Sequence, residues 1–382
     1  MARDLVICCD GTGNQFGDRN SNVVKLNDCL VRDKTRVLHF YDPGVGTFGL
    51  QEALFEWQQI APRVAGLAFG WGYRSMVERG YRFIAENYVE GDRIWLFGFS
   101  RGAYIARVIA GMIHAIGLLD PAHLNLFEYA FRIYERSAGD DRLPIATRER
   151  FARQFCRSAP IHFIGAFDTV KSIGWFIRWK QLPWTMNNPS VKFFRHAISI
   201  DERRCFFRTN LWRNGAKAKT DVRELWFAGV HSDVGGGYPE KESGLSKFPL
   251  AWMIAEAEQA GLPIDAKRRE RLLGKGGRYA KPEHNAQLHT SLKGAWWLAE
   301  YLLPRRMIYV DENKRRRTYW VWLPLLESQW IAYPRGMKPG PNERIRIHSS
   351  VRDRMSDPAL EYAPVNLPKD EDGWPLYDFV DR

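Results

Sequence analysis

Five short runs of apolar residues lie in the first two-thirds of the chain, and segments with helical periodicity separate several of them. The runs are 5–9, 37–41, 93–99, 161–167 and 224–230. Residues 74–89 show helical periodicity, and residues 101–119 predict a second, long apolar helix. Strands that are apolar throughout and alternate with helices predict a parallel sheet that is buried on both faces. The pattern therefore predicts an α/β fold.

Polar residues occupy the carboxyl ends of these predicted strands. The ends of parallel strands meet at one edge of a sheet, and α/β proteins bind their ligands at that edge. In this chain the ends carry Asp10-Gly11-Thr12, Ser100, Asp168 and His231. We therefore expect these residues to lie close together and to form the functional site.

Ser100 has the sequence context of a nucleophile elbow. Residues 98–102 read GFSRG, which fits G-x-S-x-G, and they lie between a predicted strand and a predicted helix. Small flanking residues permit a strained turn that exposes the serine hydroxyl near a helix N-terminus. The N–H of Arg101 then becomes one oxyanion donor, and the first loop supplies a second from Gly11 or Thr12. The alternative is a tight turn in which Ser100 only caps the helix.

A serine nucleophile needs a base, and the base needs a carboxylate that orients it. In hydrolases of this architecture the chain order is Ser, then Asp or Glu, then His. Asp168 ends the next predicted strand after Ser100, and His231 ends the one after that, so both order and placement fit. Asp201 and Asp233 are the alternative acids, and His348 is the alternative base.

Two other kinds of site match parts of the sequence. The pair His231 and Asp233 could ligate a metal, but no third ligand is near in sequence. The strand that runs into Asp10-Gly11-Thr12 resembles the first phosphate loop of sugar-kinase and actin-type ATPases. That fold needs a second glycine-rich loop, which the chain matches only loosely, and it leaves the elbow unexplained. We expect no metal and no cofactor.

The chain changes character beyond residue 236. Residues 246–260 and 291–303 predict helices, and 307–310 with 318–323 predict a β-hairpin. We expect a single α/β-hydrolase domain over 1–355. It comprises a core at 1–260 and a C-terminal helix and hairpin accretion at 261–355, and a surface tail follows at 356–382.

Charge and cysteine content narrow the classes of partner. The 382 residues include 56 Lys and Arg against 44 Asp and Glu, a formal net charge of +12. An excess of positive charge is typical of proteins that bind an anionic membrane or a nucleic acid, and the alternative is that it serves only solubility. No helix-turn-helix, zinc-finger or RNP motif is present, so no specific nucleic acid is expected. The five cysteines are scattered without a C-x-x-C pair, which favours reduced, buried thiols.

The N-terminal apolar run, 5–9, is too short for the core of a signal peptide. No stretch approaches the roughly 20 apolar residues that span a bilayer. We expect a protein that is made in the cytoplasm without a transmembrane segment. Any export would use a route without a cleaved signal.

An aromatic segment follows the predicted acid. Residues 171–184 contain Trp175, Trp179 and Trp184 among three cations. Aromatic rings flanked by Lys and Arg suit a membrane–water interface. We expect a lid or rim that admits acyl chains, and the alternative is that these rings pack in the core.

Six motifs occur in a fixed order between residues 5 and about 240. They are CDGTGN at 9–14, YDPGVGT at 41–47, GFSRGA at 98–103, FDTV at 167–170, DERR at 201–204 and GVHSDVGGGY at 229–238. Together they resemble the DUF2235 family, an α/β-hydrolase domain that includes the Tle1-type phospholipase effectors of type VI secretion. Weaker matches follow at 291–294 and 348–351.

The resemblance implies that Ser100 is the nucleophile of a serine esterase that acts on lipid esters. Asp168 follows from strand order and not from the resemblance. We expect cleavage of carboxylic esters, above all in lipids or phospholipids, through a Ser-His-Asp triad and an acyl-enzyme. A secretion-apparatus or immunity protein is a candidate partner. The alternatives are an α/β-hydrolase scaffold without catalysis and a basic module that binds membranes or nucleic acids.

Overall fold

The computed structural model of the protein describes residues 2–11, 17–44, 62–138, 142–170, 182–204, 207, 209–213, 219–293, 297, 305–310, 316–321, 335–337, 344–370 and 372–381. Its strands in chain order are β1 (Asp4–Cys9), β2 (Val37–Asp42), β3 (Arg93–Phe99), β4 (Leu118–Leu119), β5 (Cys156–Arg157), β6 (Ile161–Phe167), β7 (Val191–Ser199), β8 (Asp221–Phe227), β9 (Arg305–Val310), β10 (Arg316–Val321), β11 (Ile345–His348) and β12 (Tyr377–Val380).

Eight of these strands form the central sheet, in the order β12-β11-β8-β7-β6-β3-β1-β2. Each recorded pairing between neighbours in this sheet is parallel. Strands β1, β3 and β6 are buried almost throughout, as expected for a sheet covered on both faces. The predicted α/β fold with a mostly parallel sheet is confirmed.

Helices cover both faces of the sheet. In chain order they are α1 (Asn22–Cys29), α2 (Pro62–Asn87), α3 (Arg101–Ile116), α4 (Phe127–Glu135), α5 (Ile145–Phe155), α6 (His231–Gly235), α7 (Lys247–Gln259), α8 (Ala266–Leu272) and α9 (Ser349–Met355). Alternate residues of β1 point to opposite faces: Ile7 packs in the cluster with α2 to α5, and Cys8 in the cluster with α1, α7 and α8.

The C-terminal part adds to this frame. Strands β9 and β10 pair antiparallel and form the predicted hairpin, whereas β11 and β12 extend the main sheet. Strand β12 lies in the stretch predicted as a surface tail and is an edge strand of the sheet. The helix predicted at 291–303 lies mostly outside the described residues. Among the described residues, none of the helices combines the length and the apolar character needed to cross a membrane.

A buried ion-pair network ties α7 to the sheet. The Glu256 carboxylate accepts a hydrogen bond from Nε of Arg195 on β7, and it accepts one from Nη1 of Arg223 on β8 at 2.8 Å. Glu256 and Arg195 are both buried. Removal of one partner from a buried pair leaves the other charge uncompensated, which destabilises a protein more than the pair itself stabilises it.

Glu256→Gln should therefore lower the free energy of unfolding by about 3 kcal/mol. The buried Arg195 then keeps only Asp221, whose side chain is 44% exposed, as a counter-charge. The matched control is Glu258→Gln on the same helix, since the Glu258 side chain is 31% exposed and pairs with Arg269 at the surface. The control should cost less than about 1 kcal/mol. Urea unfolding of both variants measures the difference, and equal losses would contradict this role for Glu256.

Candidate active site

Close packing sets the strained turn at Ser100. This serine lies between β3 and α3 with φ 58° and ψ −120°, a conformation that costs energy in any residue other than glycine. A Cβ at Gly102 would lie 2.1 Å from the carbonyl oxygen of Cys9, and one at Gly98 would lie 2.5 Å from Cα of Ala103. These contacts exclude larger residues at both positions. The two glycines of the motif are therefore a packing requirement of the elbow.

Asp168 lies at the carboxyl end of β6, the strand beside β3. The N–H of Ser100 donates to the carbonyl oxygen of Phe167 at 3.0 Å, which places the end of β6 next to the elbow. Asp168 has φ 41° and is fully buried. Ser199, at the end of β7, donates to the Asp168 carboxylate through its backbone N–H and its hydroxyl, each at 3.0 Å. The carboxylate is thus held in a fixed orientation.

His231 begins α6, shortly after the end of β8. Its Nδ1 lies 2.6 Å from Oδ2 of Asp168. The imidazole packs against Phe99 on one side and Phe207 on another, with ring centroids 4.6 and 4.9 Å away. Because Phe99 directly precedes Ser100, the imidazole lies beside the elbow. The structure thus brings the three predicted residues to one edge of the sheet.

The charges at this edge favour an ionised Asp168 and a neutral His231. Burial opposes ionisation of Asp168, but Nη1 of Arg335 at 2.6 Å and the bond from His231 hold its pKa well below the usual range. Burial lowers the pKa of His231 below 6.5, although Asp168 opposes this shift. A carboxylate only accepts hydrogen bonds, so we assign the imidazole proton to Nδ1. Nε2 then keeps a lone pair that can accept a proton.

Asp201 and His348, two of the alternative residues, have other contacts. Oδ2 of Asp201 accepts the backbone N–H of Gly229 at 2.7 Å and the hydroxyl of Tyr362 at 2.8 Å. Burial raises the pKa of Asp201 to about 6. His348 lies at the end of β11, where its Nδ1 is 2.8 Å from Oγ of Ser350. Asp201 thus shapes the turn that leads to His231.

Asp233, the other alternative acid, pairs with a second histidine. Its Oδ2 accepts the N–H of Val230 at 3.0 Å, and its Oδ1 lies 2.6 Å from Nδ1 of His289. The ring of Tyr238 stacks on that of His289 at 3.5 Å. Burial alone would lower the pKa of His289, but Asp233 and then Glu242 raise it above its ordinary value. Within the described residues, no three His, Cys, Asp or Glu side chains are placed to hold a metal ion.

The predicted oxyanion donors belong to two segments that meet at the elbow. Arg101 is the first residue of α3, and a Cβ at Gly102 would lie 2.6 Å from the carbonyl oxygen of Asp10, just after β1. The N–H of Gly11 donates to Oδ1 of Asp10 at 2.7 Å. Thr12 lies outside the described residues. The oxyanion assignment stays a prediction.

The predicted aromatic rim is described only at its end. Trp175 and Trp179 lie outside the described residues. The Trp184 indole N–H donates to Oγ of Ser137 at 3.2 Å, and its ring contacts His114 on α3 at 4.6 Å. Trp184 also lines a cleft of about 360 Å³ together with Leu182 and Met186. Its role at a substrate rim stays a prediction.

Sequence reasoning missed two residues of the site. Glu202 accepts the backbone N–H of His231 at 3.2 Å and is clamped by Arg204. The DERR motif marked this segment but did not reveal that contact. Arg335 reaches Asp168 from 167 residues further along the chain. Its local sequence, Pro-Arg-Gly, carries no signal of such a contact.

A parallel sheet with a serine elbow and a buried His–Asp pair at its carboxyl edge places the protein in the α/β-hydrolase-like class. Residues 3–256 match a family model described as T6SS, phospholipase effector Tle1-like, catalytic domain. The chain belongs to this family, and the resemblance predicted from the six motifs is confirmed. The family is one of phospholipase effectors, which are hydrolases.

The similar protein from yeast aligns with this chain over only part of each sequence. The uncharacterized protein YEL023C of Saccharomyces cerevisiae is 32% identical over 219 residues, which cover 54% of this chain and 32% of that protein. The chain thus spans about a third of the length of this curated relative.

Two solved structures show more distant similarity. An uncharacterized protein from Pseudomonas aeruginosa is 19% identical with a TM-score of 0.41, over 73% of this chain and 49% of that chain. The Tle1 effector bound to the VgrG spike from the type VI secretion system is 15% identical with a TM-score of 0.38, over 84% of this chain and 92% of that chain.

Proposed function

We propose that the protein is a serine hydrolase that cleaves carboxylic esters in lipids or phospholipids. The observation that carries this proposal is the buried Asp168–His231 pair beside the strained elbow of Ser100. Membership in a family of phospholipase effectors supports the choice of lipid esters. The geometry supports a nucleophilic serine, because a serine that only caps a helix needs neither a positive φ nor a buried His–Asp pair beside it.

The reaction follows from the assigned proton positions. Nε2 of His231 takes the proton of Ser100 as Oγ attacks the ester carbonyl, and Asp168 stabilises the imidazolium that forms. Collapse of the tetrahedral intermediate breaks the ester bond, and the imidazolium gives its proton to the leaving alcohol. Water then attacks the acyl-enzyme with the same base. The N–H groups of Arg101 and of Thr12 would stabilise the oxyanion in each half-reaction. Thr12 is preferred to Gly11 in the first loop because the Gly11 N–H already donates to Oδ1 of Asp10.

The substrate surface and the partners extend this proposal. The net charge of +12 would draw the protein to anionic bilayers, where phospholipid substrates are presented. Trp175, Trp179 and Trp184 would form the rim through which an acyl chain enters. Because the family comprises secretion effectors, a component of the secretion apparatus or an immunity protein is the partner we propose.

Substitutions in the triad should separate catalysis from folding. Ser100→Ala and His231→Ala should each reduce hydrolysis of a p-nitrophenyl ester and of phospholipid vesicles by about 10⁴-fold, because triad residues act as a unit. Circular dichroism should show unchanged secondary structure. Retained activity in folded Ser100→Ala would overturn the proposal and favour another nucleophile, and an inactive wild-type protein would favour the scaffold.

The three candidate acids can be ranked in the same assay. Asp168→Asn should reduce kcat by about 10³-fold or more, because the imidazole loses the acceptor that fixes its tautomer. The controls are Asp201→Asn and Asp233→Asn, which change the turn but not the bond to Nδ1 of His231. A fully active Asp168→Asn together with an inactive control would assign the acid to that control residue.

The pH dependence of kcat/KM should follow the neutral form of His231. Since burial holds its pKa below 6.5, the base is present at neutral pH and is lost as the pH falls through that lowered value. We expect a plateau at neutral pH and an acid limb with a midpoint below 6.5. Rates on a soluble p-nitrophenyl ester test this directly. A midpoint clearly above 6.5 would show that another group controls the reaction.

A further inference from the structure

Arg335 contacts the candidate catalytic pair from outside the segment that defines the family. The family match ends at residue 256, whereas Nη1 of Arg335 lies 2.6 Å from Oδ1 of Asp168. The same carboxylate binds His231 through its other oxygen, Oδ2. The Arg335 side chain is only 7% exposed. A guanidinium is expensive to bury, so this contact constrains both partners.

Both backbone polar groups of Arg335, its N–H and its carbonyl oxygen, make hydrogen bonds. Its N–H donates to the carbonyl oxygen of Glu202 at 3.1 Å. The side-chain amide of Asn366 donates to the Arg335 carbonyl oxygen at 2.8 Å and to that of Ile200 at 2.9 Å. Two C-terminal segments are thereby tied to the loop after β7. The guanidinium is held at Asp168 by its own backbone and not by the ion pair alone.

Two of the three nitrogen atoms of the Arg335 guanidinium make no hydrogen bond to the described residues. Its Nε and Nη2 are buried without a hydrogen-bond partner there. Buried donors without acceptors cost free energy, and a residue placed only for stability would tend to satisfy them. The contact that the side chain does make is the one to Asp168. The arrangement therefore favours a role at that carboxylate.

We propose that Arg335 is a positioning residue of the active site, which fixes the orientation of Asp168 and offsets its charge so that His231 stays neutral and basic at Nε2. This inference rests on the proposed function of the triad. It extends the site beyond the matched segment, because the C-terminal part of the chain then supplies a group that the reaction uses.

The charges around the pair determine the direction of the effect. Among the residues that the structure describes, the ionisable groups that face it are those of Arg335, Glu202, Arg204 and His196. Burial opposes ionisation of Glu202, but Arg204 lowers its pKa to about 2, so these two groups form a balanced ion pair. His196 is buried, and its Nε2 accepts the N–H of Thr169, so it is neutral.

Arg335 is then the counter-charge to Asp168. Without it, the carboxylate would stabilise the imidazolium more strongly. Protonation of His231 would be favoured, and the base would be lost at a higher pH.

Arg335→Gln tests this, since it removes the charge but keeps a side-chain N–H donor. We expect the acid limb of kcat/KM to move up by about one pH unit relative to the wild type. Arg335→Lys keeps the charge, so its limb should stay near that of the wild type, while kcat falls because the compact ammonium does not place a donor at the position of Nη1. The matched control is Arg354→Gln, since Arg354 is buried on α9 and donates to the carbonyl oxygens of His284 and Ala286. Its limb should not move.

The titration of His231 can also be read without turnover. In a Ser100→Ala background of the full chain, ¹⁵N NMR of the imidazole should show the same upward shift with Arg335→Gln. An inactive wild type would then refute the proposed function, while the NMR titration would still decide the role of Arg335.

A lower rate with an unmoved limb and an unmoved NMR titration would make Arg335 a structural residue. Failure of both Arg335 variants to fold, with Arg354→Gln folded, would also overturn the proposal.

Discussion

The complete burial of the Asp168 carboxylate is the constraint on which the site depends. A buried charge is tolerated only when it is paired and hydrogen-bonded. Here the donors are His231, Arg335 and both the N–H and the hydroxyl of Ser199. They come from the turn after β8, the C-terminal part and the end of β7. These elements must all be in place before the carboxylate is satisfied, so the site and the fold form together.

Strain at the sheet edge depends on the same packing. Ser100 and Asp168 both have positive φ, and both belong to neighbouring strand ends that are bonded through Phe167 and Val170. Such backbone conformations persist only where the surroundings determine them. Close approach of α3 to the end of β1, which requires Gly102, supplies part of that determination. The parallel sheet thereby places residues that are far apart in sequence side by side, in a fixed geometry at one edge.

The parts of the site that sequence predicts are those set by strand ends. The apolar runs mark where β3 and β6 end, and so Ser100 and Asp168 are placed by the rule that parallel strands share one edge. His231, shortly after β8, is placed in the same way. Arg335 is not predictable, because its contact depends on how distant segments fold back onto β7. The hydrogen bond from the Gly11 N–H to the side chain of Asp10 is likewise not predictable from the sequence, because Asp and Asn side chains bind nearby backbone groups in several alternative ways.

The central claim is that Ser100 is a nucleophile activated by His231. The most direct measurement is to treat the full chain with a fluorophosphonate and to map the adduct by peptide mass spectrometry. We expect a single modified residue, Ser100, and little modification of the folded His231→Ala variant, because the serine hydroxyl is a weak nucleophile without its base. An adduct on a different residue, or ester hydrolysis by a protein whose Ser100 stays unmodified, would contradict it.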